Sequence, residues 1–259
     1  MPDIALVLLA GAVAGTMNAI GGGGTFVALP ALVAAGLSPV AANASSTVAL
    51  APGSVTSAWV YRRELAPVGE TSASALTATS LLGGALGAGL LLLLPSASFD
   101  AAVPWLLAFA TLVLAFGRRL TRALNAATGR SDGAGMSSRA VLVAQFLLAV
   151  YGGYFGGAIG IMLLAVWSIG LGLDTAASNP MRIAQVSAVN LSATALFLVA
   201  SDALRTPLVL VTMLAGAVAG GFVGAHLARR LPARLLRGTI LTIAVTMTVL
   251  YFLRAAKGG

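Results

Sequence analysis

Ile20-Gly21-Gly22-Gly23-Gly24-Thr25 interrupts a stretch that is otherwise apolar from Ile4 to Leu37. Four consecutive glycines break a helix, and the backbone groups they release find no water in lipid. Such a break is tolerable only where the backbone is buried in protein or lines a polar cavity. Transporters use broken helices in this way to hold a solute within the bilayer. A second apolar stretch, residues 140–172, contains Gly152-Gly153, Gly156-Gly157 and Gly160. Both stretches run about 32 residues, near 50 Å as straight helices, against a hydrocarbon core of roughly 30 Å. Each is predicted to be a hairpin of two shorter helices.

The rest of the chain is of the same kind. Of its 259 residues, 59% are hydrophobic and only 8% charged, where a soluble domain carries roughly 25% charged residues. Further apolar runs cover about 44–61, 71–94, 101–117, 181–200, 207–228 and 235–253. With the two hairpins these make eight hydrophobic segments and about ten helices, so the fold class is all-α, a polytopic membrane protein. Met1-Pro2-Asp3 supplies no basic leader, and a cleaved signal peptide is not expected.

The formal charge of +8 would suggest nucleic acid in a soluble protein. Here the arginines flank apolar segments, and the positive-inside rule accounts for them. Arg62-Arg63, the group Arg118, Arg119, Arg122, Arg130 and Arg139, and the group Arg229, Arg230, Arg234 and Arg237 are assigned to the cytoplasm. The first hairpin then begins and ends outside, the second begins and ends inside, and both termini lie outside. The absence of cysteine and the single histidine, His226, exclude disulfides, thiol catalysis and a His or Cys metal cluster.

Opposite sidedness divides the chain into two halves, and a repeat supports the division. Leu82-Gly83-Gly84-Ala85-Leu86-Gly87-Ala88 matches Ala219-Gly220-Gly221-Phe222-Val223-Gly224-Ala225, and both run on to Leu-Pro, at Leu94-Pro95 and Leu231-Pro232, with the offset unchanged throughout. At nearly the same offset Gly36-Leu37-Ser38 with Asn43 matches Gly172-Leu173-Asp174 with Asn179. The expected organisation is a first inverted repeat over 1–117, a cytoplasmic linker over 118–138 and a second inverted repeat over 139–259. Each repeat is a glycine-broken hairpin followed by three spans. Inverted repeats with discontinuous helices mark secondary transporters, with the site at the repeat interface.

These residues resemble the sulfite exporter TauE/SafE family. The resemblance is carried by Gly15-Thr16-Met17-Asn18-Ala19-Ile20-Gly21-Gly22-Gly23-Gly24, then Pro30, Gly36-Leu37-Ser38-Pro39 and Ala41-Ala42-Asn43-Ala44-Ser45-Ser46-Thr47. The second half adds Gly153-Tyr154-Phe155-Gly156-Gly157-Ala158-Ile159-Gly160, and the end Gly224-Ala225-His226-Leu227-Ala228-Arg229-Arg230-Leu231-Pro232. It covers nearly the whole chain. One departure is that Gly160 is followed by Ile161-Met162-Leu163, so the second turn is expected to be less open than the first. The resemblance implies export or uptake of sulfite or an organosulfonate such as sulfoacetate across a bacterial inner membrane. Thiosulfate or sulfate are the alternative anions, and a channel is the alternative mechanism.

Candidate site residues follow from cost and chemistry. Arg182, opening a span directly after the second hairpin, is expensive in a membrane unless it is paired or faces a cavity, and its planar fork suits a sulfonate. The alternative is snorkelling to the cytoplasmic headgroups. In the first half, Asn43, Ser45, Ser46 and Thr47 stand where short polar side chains at a helix start cap it or meet an anion; Asn179 is the counterpart of Asn43. Gly21, Gly22, Gly23 and Gly24 either turn backbone N–H groups toward an anion or serve close packing, and Asn18 lies one turn before them. Gln185 and Asn190, with Gln145, are ligands or makers of interhelical bonds. Gly83-Gly87 and Gly216-Gly220-Gly224 read as packing seams.

Asp3, Glu64, Glu70, Asp100, Asp132, Asp174 and Asp202 all fall in loops or span ends. A cationic substrate is therefore not expected, and neither is a buried carboxylate proton relay. His226 has no Gly-x-Ser-x-Gly partner motif, so catalysis is not expected and no cofactor or metal is called for. The expected partners are a small anionic substrate and membrane lipids, without nucleic acid, and a homodimer is the candidate assembly.

Overall fold

Short polar side chains start four of the helices. Asp3 Oδ1 accepts the N–H groups of Ala5 and Leu6 at 3.1 and 3.2 Å, opening α1 (Ile4–Gly21). Ser38 Oγ accepts Ala41 N–H at 3.3 Å and Pro39 takes the first helical position, the place where its missing N–H costs nothing. Ser72 and Ser137 cap in the same way, each at 3.3 Å. The computed structural model describes residues 3–21, 23–128, 136–174, 177–230 and 233–257. After α1 come α2 (Thr25–Ala34), α3 (Pro39–Tyr61), α4 (Ala73–Leu93), α5 (Ser96–Thr128), α6 (Ser138–Tyr154), α7 (Ile159–Leu171), α8 (Asn179–Ala200), α9 (Pro207–Arg230) and α10 (Ala233–Lys257). A 3₁₀ turn, Asp202–Arg205, precedes α9. Among the described residues there is no strand, and one isolated bridge joins Val68 to Thr71 around Gly69.

The fold is the all-α polytopic one, with both long apolar stretches broken into two helices. At 10 and 13 residues, α2 and α7 are about 15 and 20 Å long, too short to cross a bilayer alone. The apolar run expected over 101–117 is longer as a helix. α5 continues through Arg119 to Thr128, because Arg, Leu and Ala are strong helix formers and no breaker intervenes. Much of the reach assigned to the linker is thus helical; residues 129–135 lie outside the described residues.

Packing joins the two halves rather than separating them. α1 lies along α9 and α6 along α4, so each hairpin's first helix pairs with a helix of the other half. Both seams are built on small residues. A Cβ on Gly220 would collide with the Ala12 backbone, and one on Gly15 with Ala217; a Cβ on Gly83 would meet Ala149, and one on Gly87 the Val150 carbonyl. Ala12–Gly220 and Ala149–Gly83 pair residues displaced by the same sequence offset, Gly220 meeting the backbone of Ala12 and Gly83 the side chain of Ala149. Small residues allow this approach where no hydrophobic force drives helices together. Two hydrogen bonds also link residues separated by that offset or one position less: Thr111 and Thr248 hydroxyls at 2.9 Å, and Asn190 Nδ2 to Ser54 Oγ at 3.0 Å.

Apolar side chains occupy both the interior and the surface. Phe26, Leu29, Leu32, Phe99, Leu107 and Phe155 anchor the larger buried cluster, and Val68, Leu76, Leu163 and Trp167 a smaller one. Outside, Val199 is 88% and Leu93 84% exposed, with Leu82, Trp105 and Phe222 alike bare. Apolar exposure on this scale marks a surface made for lipid.

Candidate functional site

Each hairpin breaks differently. In the first, α1 ends at Gly21, Gly23 takes φ +99° and α2 starts at Thr25; Gly22 lies outside the described residues. In the second, α6 ends at Tyr154, Gly156 takes φ +84° and Ala158 φ +59°, the one positive φ of a non-glycine residue among the described residues. α7 then starts at Ile159. The first N–H groups of a helix have no partner within its own turns; here those of Phe26, Val27 and Ala28 are accepted by the Gly23 and Gly24 carbonyls, and those of Ile161 and Met162 by the Ala158 carbonyl.

The breaks meet at one cavity of about 50 Å³, room for a few waters or one small ion. From the first hairpin it is lined by Asn18, Gly23, Thr25 and Phe26; from α3 by Thr47 and Leu50; from α5 by Leu114. The second hairpin contributes Gly156 and Ala158 through Ile161, and α8 contributes Arg182, Val186 and Asn190. Both halves therefore wall it. Its polar groups are one cation, two amides and two hydroxyls, set among apolar side chains; among the described residues no carboxylate lines it.

Arg182 is partly buried in the first turn of α8. Its Nε donates to Asn179 Oδ1 at 2.9 Å, and its Nη1 lies over Gly160, where an added Cβ would stand 2.6 Å away. The guanidinium is thus packed on the N-terminal turn of α7. That end of a helix carries partial positive charge, and cations are ordinarily stabilised at the opposite end. Two positive sources face one cavity.

Five of the sequence-derived candidates line this cavity: Asn18, Gly23, Thr47, Arg182 and Asn190. Thr47 Oγ1 donates to Asn43 O at 3.0 Å, and Asn190 is tied to Ser54. Asn179 reaches the site through Arg182. Gly21 closes α1, and Gly24 packs against the Ala14 carbonyl and Leu50. Asn43, Ser45 and Ser46 are buried away from the cavity; Asn43 Nδ2 donates to Tyr154 O at 3.0 Å and Ser46 Oγ to Asn43 O at 2.9 Å. These residues do not cap α3, because Ser38 and Pro39 start it one turn earlier. Gln185 does not line the cavity. It is fully buried, accepting from Ser80 Oγ at 2.8 Å and donating to Thr77 Oγ1 at 3.2 Å, while Gln145 Nε2 donates to Ser80 Oγ at 2.7 Å. This polar clamp joins α4, α6 and α8. The side chain of His226 lies outside the described residues.

Sequence reasoning passed over Thr25, Gly156 and Gly160 as site residues. Gly160 follows Gly24 at almost the repeat offset, so the repeat contained a signal for it. Leu114 carries none.

The model of the family described as sulfite exporter TauE/SafE matches residues 7–251. A Haemophilus influenzae protein described as a probable membrane transporter protein is 28% identical over 247 residues, 95% of this chain and 92% of that one. No solved structure matches the chain.

Proposed function

Because the chain belongs to the sulfite exporter TauE/SafE family, a family of membrane transporters, we propose that it carries a small sulfur-containing anion across the inner membrane by alternating access. Sulfite or an organosulfonate such as sulfoacetate is the substrate. One observation carries the choice of an anion: the Arg182 guanidinium rests on the N-terminal turn of α7, beside the break that opens α2. Positive charge gathered there repels itself until an anion lies between. Cavity size supports a small solute, and the apolar wall of Phe26, Leu50, Leu114 and Ile161 suits an ion only partly hydrated.

The placement of the cavity between two hairpins, one from each half, supports alternating access. The halves run in opposite directions through the membrane, with the arginine-rich ends cytoplasmic and both termini outside. Rocking of one hairpin pair against the other exposes the same site to either face. The chain's work is transport and not catalysis.

Proteoliposomes test this. Flux of sulfite, sulfoacetate, thiosulfate, sulfate and chloride is compared for the wild type and Arg182→Ala. We expect saturable flux of a sulfur oxyanion that weakens at least about tenfold in the variant, the scale of a lost hydrogen bond to a charged group. A folded wild-type protein that moves none of these sulfur anions would overturn the substrate assignment.

A further inference from the structure

Asn179 is the first residue of α8, one place after the cap position, and an asparagine at the cap would spend its side-chain oxygen on the first N–H groups of the helix. Ser178, at the cap position, makes no side-chain cap bond. The preceding turn is tied instead by Asp174, whose Oδ1 accepts Ala177 N–H at 2.9 Å and whose backbone oxygen accepts Ser178 N–H at 3.0 Å. Asn179 Oδ1 is turned toward Arg182 Nε.

We infer that Asn179 is a positioning residue for anion binding, holding the Arg182 guanidinium over Gly160 with its terminal nitrogens turned to the cavity. The inference rests on the proposed anion site. A guanidinium offers one edge through Nε and another through its two Nη groups. Asn179 occupies the Nε edge, which leaves the Nη edge for a ligand. Gly160 completes the seat: with no Cβ, it lets Nη1 lie against the start of α7, where a methyl group would stand 2.6 Å from it. Because the helix end repels a bare cation, an unanchored arginine would swing away when the site is empty. The carbonyl of Asn179 keeps the fork in place between substrates, so less ordering is left to the binding step.

Two readouts test this, one independent of transport. In proteoliposomes Asn179→Ala is expected to raise KM about tenfold, the scale of a hydrogen bond to a charged group, with maximal flux kept within about twofold. In an Arg182→Lys background the same change should add little, because both act through one group. Multiplicative loss in the double variant would make Asn179 a direct ligand, and an unchanged KM would leave it without a role; either overturns the proposal. Labelling of Arg182 by phenylglyoxal, followed by mass spectrometry on the solubilised protein, reads the contact without any flux. Release of Nε should speed modification several-fold in Asn179→Ala, while Asn179→Asp, which keeps the acceptor, should stay slow. Equal rates in wild type and Asn179→Ala would refute the anchor even if transport proves correct. An absence of flux in the wild type with a labelling difference would instead fault the substrate and keep the anchor.

Discussion

Gly24 and Gly160 stand at almost equivalent places in the two halves, one at each helix break, yet they leave room for different things. At Gly24 the missing side chain admits the Ala14 carbonyl of its own hairpin, 2.6 Å from where a Cβ would stand. At Gly160 the neighbour at the same distance is the tip of Arg182. The first is rigid backbone; the second is the end of a flexible side chain. Matching positions in the two halves have thus been given to architecture in one and to chemistry in the other. A cavity lined by one cation cannot be symmetric, and the two glycine positions differ where the charge sits.

The widest way to break this comparison is to part the halves. Residues 1–128 and 136–259 expressed singly should give no monodisperse protein, because α1 needs α9 and α6 needs α4; co-expression should restore it, as size-exclusion profiles would read. A half that folds alone would contradict the interleaved packing. Next come the paired glycines. Gly24→Ala should cost about 1–3 kcal/mol of stability through overpacking, seen as a lower Tm. Gly160→Ala should keep Tm while raising KM for the anion roughly tenfold, the scale of a displaced charged hydrogen bond. The same phenotype from both would erase the distinction. The backbone pair at the turns comes last. Gly23→Ala forces a side chain to φ +99° and should cost about 1–3 kcal/mol. Ala158→Gly relieves a left-handed alanine and should be neutral or stabilising by up to about 1 kcal/mol. A clear drop in Tm for Ala158→Gly would mean that packing of its buried methyl outweighs the strain.

Much of this was legible in the residues themselves. Length against bilayer thickness, with the glycine clusters, marked both hairpins, and the cost of an intramembrane cation singled out Arg182. Other features were not legible, for a physical reason. In a soluble helix a polar stripe tells which side faces in, but here lipid and core are both apolar, so side-chain direction leaves little trace. That is why Gln185 could be read as a ligand or as a maker of interhelical bonds, the second being the role seen in its clamp across three helices, and why Leu114 passed unnoticed. The start of α3 is different: Ser38-Pro39 is a cap followed by a first-turn proline, a signal stronger than the apolar boundary used to place the helix near Asn43. Nothing in the sequence foretells a left-handed Ala158.

The seam between α1 and α9 also has a schedule. Thr16 donates its hydroxyl to Gly220 O across 204 residues, so at roughly 5–20 residues per second of synthesis the two partners emerge some tens of seconds apart. α6 finds α4 already made. For most of its own translation, then, the first hairpin must wait in the membrane with its glycine face covered by lipid or by an insertion factor, and the protein closes only when one of its last helices arrives.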